Sequence, residues 1–374
     1  MLLARQGRAN LSGQTAWVES LSPWPEEFGL GRMQALLAEL GEPQRAYPAI
    51  HVVGTNGKST ATRRAAAFLA REGQRAGAYT SPHVEGWTER IQVDGEDADL
   101  EAALERVRPA AERIGATQFE VLTAAALAEF ATAEIDVAVV EAGLGGRLDA
   151  TNVLAARVVV LTNVALDHTE VLGETREAIA EEKLAVVTPG VSVVLGEPEW
   201  ELHARARGPA SVVDAVDVGR AAAEVFLGRP LEGDVDASLL GRFDQVGDDV
   251  FAGAHNPAGV AWLLERLPRS DYVVVASILI DKDAETMLQA LAAAGSTLVA
   301  TSSRSARALP AEELARLAAP FFARVETAPN PDEALARARA LAGDDGAVLV
   351  TGSLYVLADL VRRQHVPWGS SARS

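Results

Sequence analysis

The run His51-Val52-Val53-Gly54-Thr55-Asn56-Gly57-Lys58-Ser59-Thr60 limits the possible folds of this chain more than any other feature. The β-branched stretch 49–53 reads as a short buried strand, and 59–69 reads as the helix that follows it. Two glycines between them let backbone amides close around an anion at the helix N-terminus, and Lys58 adds a mobile positive charge for the outer phosphates. The common phosphate loop places four residues between its first Gly and Gly-Lys, whereas only Thr55 and Asn56 stand there in this chain. Gly54, Thr55, Asn56, Gly57, Lys58, Ser59 and Thr60 are therefore the candidate ATP contacts. A plain glycine-rich turn is the competing reading, and Gly-Lys-Ser-Thr between a strand and a helix argues against it.

The rest of the chain continues the same alternation. Strands are expected at 76–79, 136–141, 157–162 and 192–195, with helices at 100–114, 120–133 and 176–187. A second series places strands at 272–276, 297–300 and 347–351 and helices at 284–293, 311–318, 332–341 and 353–361. This predicts an α/β protein: a P-loop ATPase-type N-terminal domain with a mostly parallel sheet over 1–238, and a smaller Rossmann-like α/β domain over 239–374. The intervening 208–239 shows little periodicity beyond a helix near 220–227, and the Ala-rich helices read as helix-forming surface.

Composition removes several classes of function. Of 374 residues 48% are hydrophobic and 23% charged, as in a folded globular protein, and no apolar run reaches the length of a membrane span. With no recognisable secretory signal at the start, a cytoplasmic location is expected. The absence of cysteine excludes disulfides and thiolate metal sites, leaving oxygen and imidazole ligands, a chemistry that suits magnesium. A net charge of −18 repels nucleic acid and anionic membrane, so local cations must draw in anionic substrates.

Several strand ends point to one sheet edge, where α/β proteins bind ligands. Ser81, in Thr80-Ser81-Pro82-His83, offers a hydroxyl to a magnesium ion, although the segment alone also fits a simple turn. Glu141 ends the 136–140 strand ahead of a glycine-rich loop, in the manner of a Walker-B carboxylate. Asp167 and His168 follow the next strand and fit either a metal or phosphate site or a helix cap beside a surface histidine. Lys183, in Ala180-Glu181-Glu182-Lys183, reads on its own as part of a solvated charged face.

In order, GTNGKST, TSPH, ERIQVDG, QFEVLT, EAGLGGRLDATN, NVALDH, AEEK, AHNP, DKD and TGSLY resemble the motifs of folylpolyglutamate and dihydrofolate synthases, within the Mur ligase superfamily. The resemblance spans nearly the whole chain. It implies a ligase that uses ATP to phosphorylate a folate carboxylate and then joins L-glutamate to it. It further implies that Ser81 and Glu141 bind one magnesium ion, that Glu141 and His168 bind a second, and that Lys183 carries a carbamate. Arg242, His255 and Asn256 would then contact ATP. Arg32, His83, Asp149, Asn152, Asp167 and Ser353 would join Ser81 around the folate and glutamate substrates, dihydropteroate or reduced folate being the acceptor. A monomer is expected, with no nucleic acid or membrane partner.

Three departures stand out. Ala252 occupies the place where the family carries an Asp near the nucleotide ribose, so restoring Asp is expected to tighten ATP. Val218-Gly219-Arg220-Ala221-Ala222-Ala223 replaces a Gly-x-His-Gln-x-x-Asn stretch, in what reads as a shortened linker. Leu240 replaces a proline before Gly241-Arg242. A Mur-type ligase of another substrate, or a nucleotide-binding relative without catalysis, are the alternatives.

Overall fold

A computed structural model describes residues 13–361. By internal contacts they form two compact units. One runs to Ser81 and includes Trp87–Val164 and Thr169–Ala237; the other comprises Pro82–Gly86, Ala165–His168 and the described chain from Ser238 onward.

The first unit is built on an eight-stranded sheet of β1 (Ala49–Val53), β2 (Ala76–Tyr79), β3 (Ile91–Val93), β4 (Glu96–Asp97), β5 (Val137–Glu141), β6 (Ala156–Leu161), β7 (Ser192–Leu195) and β8 (Ser211–Asp214). Its order is β4-β3-β2-β5-β1-β6-β7-β8, with β3 antiparallel to both its neighbours and the other pairs parallel. All residues of β1, β2 and β5 are buried, which is why they read as apolar runs apart from His51 in β1 and Glu141 at the end of β5. With β1 between β5 and β6, its carboxyl end and the loop after it stand at the centre of the sheet edge.

Helix Leu100–Ile114 begins where the Asp99 side chain accepts from the Ala102 amide, and helix Gln118–Thr132 begins with a Thr117–Glu120 capping box. The alanines of these helices are not simply surface, as the sequence had suggested. Ala103, Ala110 and Ala111 are buried, as are Ala334 and Ala338 of helix Pro331–Ala342, because a small side chain lets one helix approach its neighbour closely. Nor is the 208–239 region a linker. It contains β8 and helix Val218–Leu227, whose Gly219 lies so close to the phosphate-loop helix Lys58–Arg71 that an added Cβ would come within 2.8 Å of the Ala61 carbonyl.

The second unit holds β9 (Asp244–Val246), β10 (Asp249–Phe251), β11 (Val273–Ala276), β12 (Thr297–Ala300), β13 (Arg324–Thr327) and β14 (Val348–Thr351) in the order β13-β12-β11-β14-β10-β9. All neighbours are parallel except β9 against β10. Apolar clusters fill both faces, one around Leu288, Leu298 and Leu314, the other around Val299, Leu335 and Leu357. Among the described residues, no helix is long and apolar enough to cross a membrane.

Candidate nucleotide and ligase site

The loop after β1 owes its shape to contacts that come from far along the chain. Gly54 has φ +147°, and a Cβ there would lie 1.9 Å from the Thr162 hydroxyl, so both conformation and space demand glycine. Asn163, just past β6, accepts from the Thr55 amide through its backbone carbonyl and from the Asn56 amide through its side chain, each at 2.9 Å. The Thr162 hydroxyl donates to the Asn56 carbonyl at 2.7 Å. Gly57 takes a left-handed conformation and starts helix Lys58–Arg71, leaving that helix N-terminus open to an anion. Lys58 folds back to donate to the Thr55 carbonyl at 3.1 Å. Ser59 is buried and Thr60 is exposed.

Glu141 closes β5 with 2% of its surface exposed, and its carboxylate accepts from the Ser81 amide at 3.0 Å, so the expected carboxylate and hydroxyl ligands are neighbours. The glycine-rich loop beyond it packs on backbone: a Cβ on Gly146 would come within 2.6 Å of the Lys183 carbonyl. Lys183 itself is only 3% exposed and donates to the Gly54 carbonyl at 2.9 Å. The solvated-face reading of Lys183 therefore fails; the side chain turns inward beneath the phosphate loop.

A pocket in the same unit is lined by Trp24, Phe28, Phe119, Leu144, Leu148 and Asp149, among others. Arg32 lies near it but is paired with Glu120, also in the lining, at 3.2 Å. Asn152 secures the loop by donating to the Arg147 carbonyl at 2.9 Å. Asp149 accepts from the Leu144 amide at 2.7 Å and from the Thr151 amide and hydroxyl at 3.0 and 2.6 Å. Burial pushes the Asp149 carboxyl up, against these donors and the Lys58 charge. Behind Thr151, its hydroxyl lies 2.8 Å from Nε2 of buried His51 in mid-β1. Sequence reasoning missed His51 and Thr151; the signal was a histidine inside an otherwise apolar strand.

In the second unit, Asp167 is the centre of a polar cluster. Its carboxylate accepts from Lys282 Nζ at 2.5 Å and from Asn256 Nδ2 at 3.0 Å, with His255 Nε2 at 3.8 Å. Burial raises the Asp167 carboxyl, but the charges of Lys282, His168 and His255 outweigh it and bring the pKa down to about 2. His168 has φ +51°, and its Nε2 accepts from Lys282 at 3.2 Å. Lys282, from the Asp-Lys-Asp motif to which no role was given, is thus the cation that organises this segment. Asn256 also caps helix Pro257–Leu264 by accepting from Gly259, and His255 Nδ1 lies 3.1 Å from the Gly253 carbonyl. His83 and Arg242 are half-buried, and Arg242 stands beside Asp244, whose carboxyl burial pushes up to about 6. Ser353 is buried, and its hydroxyl caps the last described helix by accepting from Val356 at 3.3 Å. Ala252 lies in the apolar cluster with Val250 and Val260, far from resembling a polar contact point.

Residues 52–226 match the Mur ligase middle domain and 241–354 match the Mur ligase glutamate ligase domain. The chain is 34% identical to the dihydrofolate synthase/folylpolyglutamate synthase of Mycobacterium tuberculosis, over 87% of this chain and 85% of that protein. Its Bacillus subtilis counterpart is 28% identical over 93% and 97%. Among solved structures, M. tuberculosis folylpolyglutamate synthase complexed with ADP superposes with a TM-score of 0.86 at 32% identity, covering 94% of this chain and 97% of that one. E. coli FolC in complex with DHPP and ADP gives 0.84 at 28%, covering 95% and 98%. With both Mur ligase domains matched and relatives of this identity aligned along most of their length, the chain belongs to the dihydrofolate synthase/folylpolyglutamate synthase family of Mur-type ligases.

Proposed function

We propose that this protein joins L-glutamate to dihydropteroate, to a reduced folate, or to both, in an ATP-dependent ligation through an acyl phosphate. The observation that carries the reading is Lys183 bound to the phosphate loop at Gly54, with Glu141 bonded to Ser81 at the end of the strand paired with β1, in a chain of this family. A carboxylate oxygen of the acceptor attacks the γ-phosphorus and ADP leaves. The glutamate nitrogen then attacks the acyl carbon, phosphate departs, and an amide remains.

Such chemistry depends on placement and on charge neutralisation. Lys58 and the amides of Gly54–Thr60 are assigned to the ATP phosphates, with Lys58 swinging from the Thr55 carbonyl to reach them. Arg242, His255 and Asn256 are further assigned nucleotide contacts, and Ser353 a glutamate contact. The pocket with Trp24, Phe28, Phe119 and Asp149 suits a flat heteroaromatic acceptor, since it combines ring faces with the buried carboxyls of Asp149 and Glu120.

The donors at Glu141 fit magnesium: a buried carboxylate beside a hydroxyl residue, with water and phosphate left to complete the shell. When bound, the ion withdraws charge from the transferred phosphoryl group. A second ion at His168 would take an imidazole nitrogen, of which Nε2 now accepts from Lys282. Carbamylation of Lys183 would place an anion beneath the loop while leaving an N–H for the Gly54 carbonyl.

Incubation with ATP, magnesium and labelled glutamate against a panel of pteroates, folates and a muramyl peptide, read by mass spectrometry, tests the proposal. A glutamylated pteroate or folate is the expected product. Glutamate transfer only to the muramyl peptide, or to no acceptor, would overturn it.

A further inference from the structure

We propose that His51 is a positioning residue for the acceptor pocket, acting through the Thr151 hydroxyl to hold the Asp149 carboxylate at the pocket wall. The inference rests on the acceptor-pocket reading above. His51 lies in the middle of a fully buried strand, on the face of the sheet that bears Ala49, Ala138 and Val140. A buried imidazole is costly to keep there unless its polar edge has a partner, and Thr151 Oγ1 at 2.8 Å is that partner.

The order of protons along the chain follows from counting donors. Two backbone amides, those of Leu144 and Thr151, donate to Asp149 and, with the Lys58 charge, favour its ionised form against the upward push of burial. The single Thr151 hydroxyl proton is then committed to Asp149 Oδ1 at 2.6 Å. Thr151 Oγ1 must accept from His51, so the imidazole carries its proton on Nε2. Burial holds the His51 ring down to about 4, so it is neutral at neutral pH as this arrangement needs. Three donors fill three of the roughly four acceptor positions of a carboxylate. Asp149 also lines the pocket, which leaves the remaining position for an N–H of the acceptor. Without His51 the Thr151 hydroxyl is free to rotate, and the carboxylate loses its fixed bearing.

Four variants decide the matter: His51→Leu, His51→Gln, Thr151→Val and Asp149→Asn, each checked by thermal melting and assayed for the Michaelis constants of dihydropteroate and of ATP separately. Gln can place an amide N–H near the position of Nε2, whereas Leu offers none. His51→Leu should raise the dihydropteroate KM about tenfold, with kcat and the ATP KM within about twofold, and His51→Gln should restore it. An unchanged dihydropteroate KM in His51→Leu, or an equal rise in His51→Gln, overturns the inference. Should His51→Leu not fold, Thr151→Val carries the same expectation and the same refutation. Asp149→Asn separates the two readings: if it leaves the dihydropteroate KM unchanged, the acceptor-pocket assignment itself is wrong, and if it raises KM while His51→Leu does not, only the relay is wrong.

Discussion

Two residues bear most of the proposed chemistry at the sheet edge, and they do so differently. Lys58 makes one contact within its own loop and is not part of an apolar cluster, so its loss should spare the fold while removing the charge that meets the transferred phosphoryl group. Lys58→Ala is expected to lower kcat about a thousandfold or more with an unchanged melting temperature. Retention of more than roughly a tenth of the turnover at saturating ATP would exclude a catalytic loop. Glu141→Gln keeps the shape of the strand end and an acceptor for the Ser81 amide, but removes the negative charge. Its magnesium dependence should shift to higher concentration with only partial rescue. Superimposable magnesium titrations of variant and wild type would make Glu141 a structural residue.

At the scale of elements, what the sequence revealed follows from how completely each strand is buried. β1, β2 and β7 lie where the sequence placed them, because strands covered on both faces are apolar at nearly every position. β8 and β13 have half-exposed or exposed residues throughout, and β3, β9 and β10 are three residues long, too short to show a period. The candidate site was legible where chemistry is written locally, as in Gly54–Thr60 and Glu141. It was illegible where a fold contact decides: Ala-Glu-Glu-Lys looks like a wet helix face until Lys183 is seen turned toward the Gly54 carbonyl. Ala252 shows the opposite error. Aligned with a ribose-binding carboxylate, it seemed to await restoration, yet it follows β10 within the apolar cluster of Val250 and Val260 and is 1% exposed. Ala252→Asp is therefore expected to cost about 3 kcal/mol and to lower the melting temperature by roughly 5–10 °C, without reducing the ATP KM. An undiminished melting temperature together with tighter ATP would show that the carboxylate finds a polar outlet.

For the whole molecule, buried titrating groups make stability a function of pH, and His51 gives the clearest sign. Its imidazole is held down to about 4 from an ordinary 6.5, so between these values the unfolded chain takes up a proton that the folded protein refuses. Stability then rises with pH across that window, and acidification from 6.5 to 4 costs up to about 3 kcal/mol at this one site. Gln does not titrate, so the stability advantage of wild type over His51→Gln should shrink as the pH falls. Parallel curves of melting temperature against pH for the two proteins would contradict the assignment. Asp167, brought down to about 2, adds a separate loss that begins only below its ordinary value of 3.8.

The phosphate loop is bonded to Asn163, Thr162 and Lys183, more than a hundred residues later in the chain. During synthesis the loop leaves the ribosome long before any of these anchors exists, and β1 must also wait for β5 and β6 on either side. A growing chain therefore carries its most recognisable nucleotide signature for many seconds with no means of gripping a nucleotide. Competence arrives late, as a property of the closed sheet, and a fragment trimmed to the motif and its adjoining helix inherits the signature without the grip.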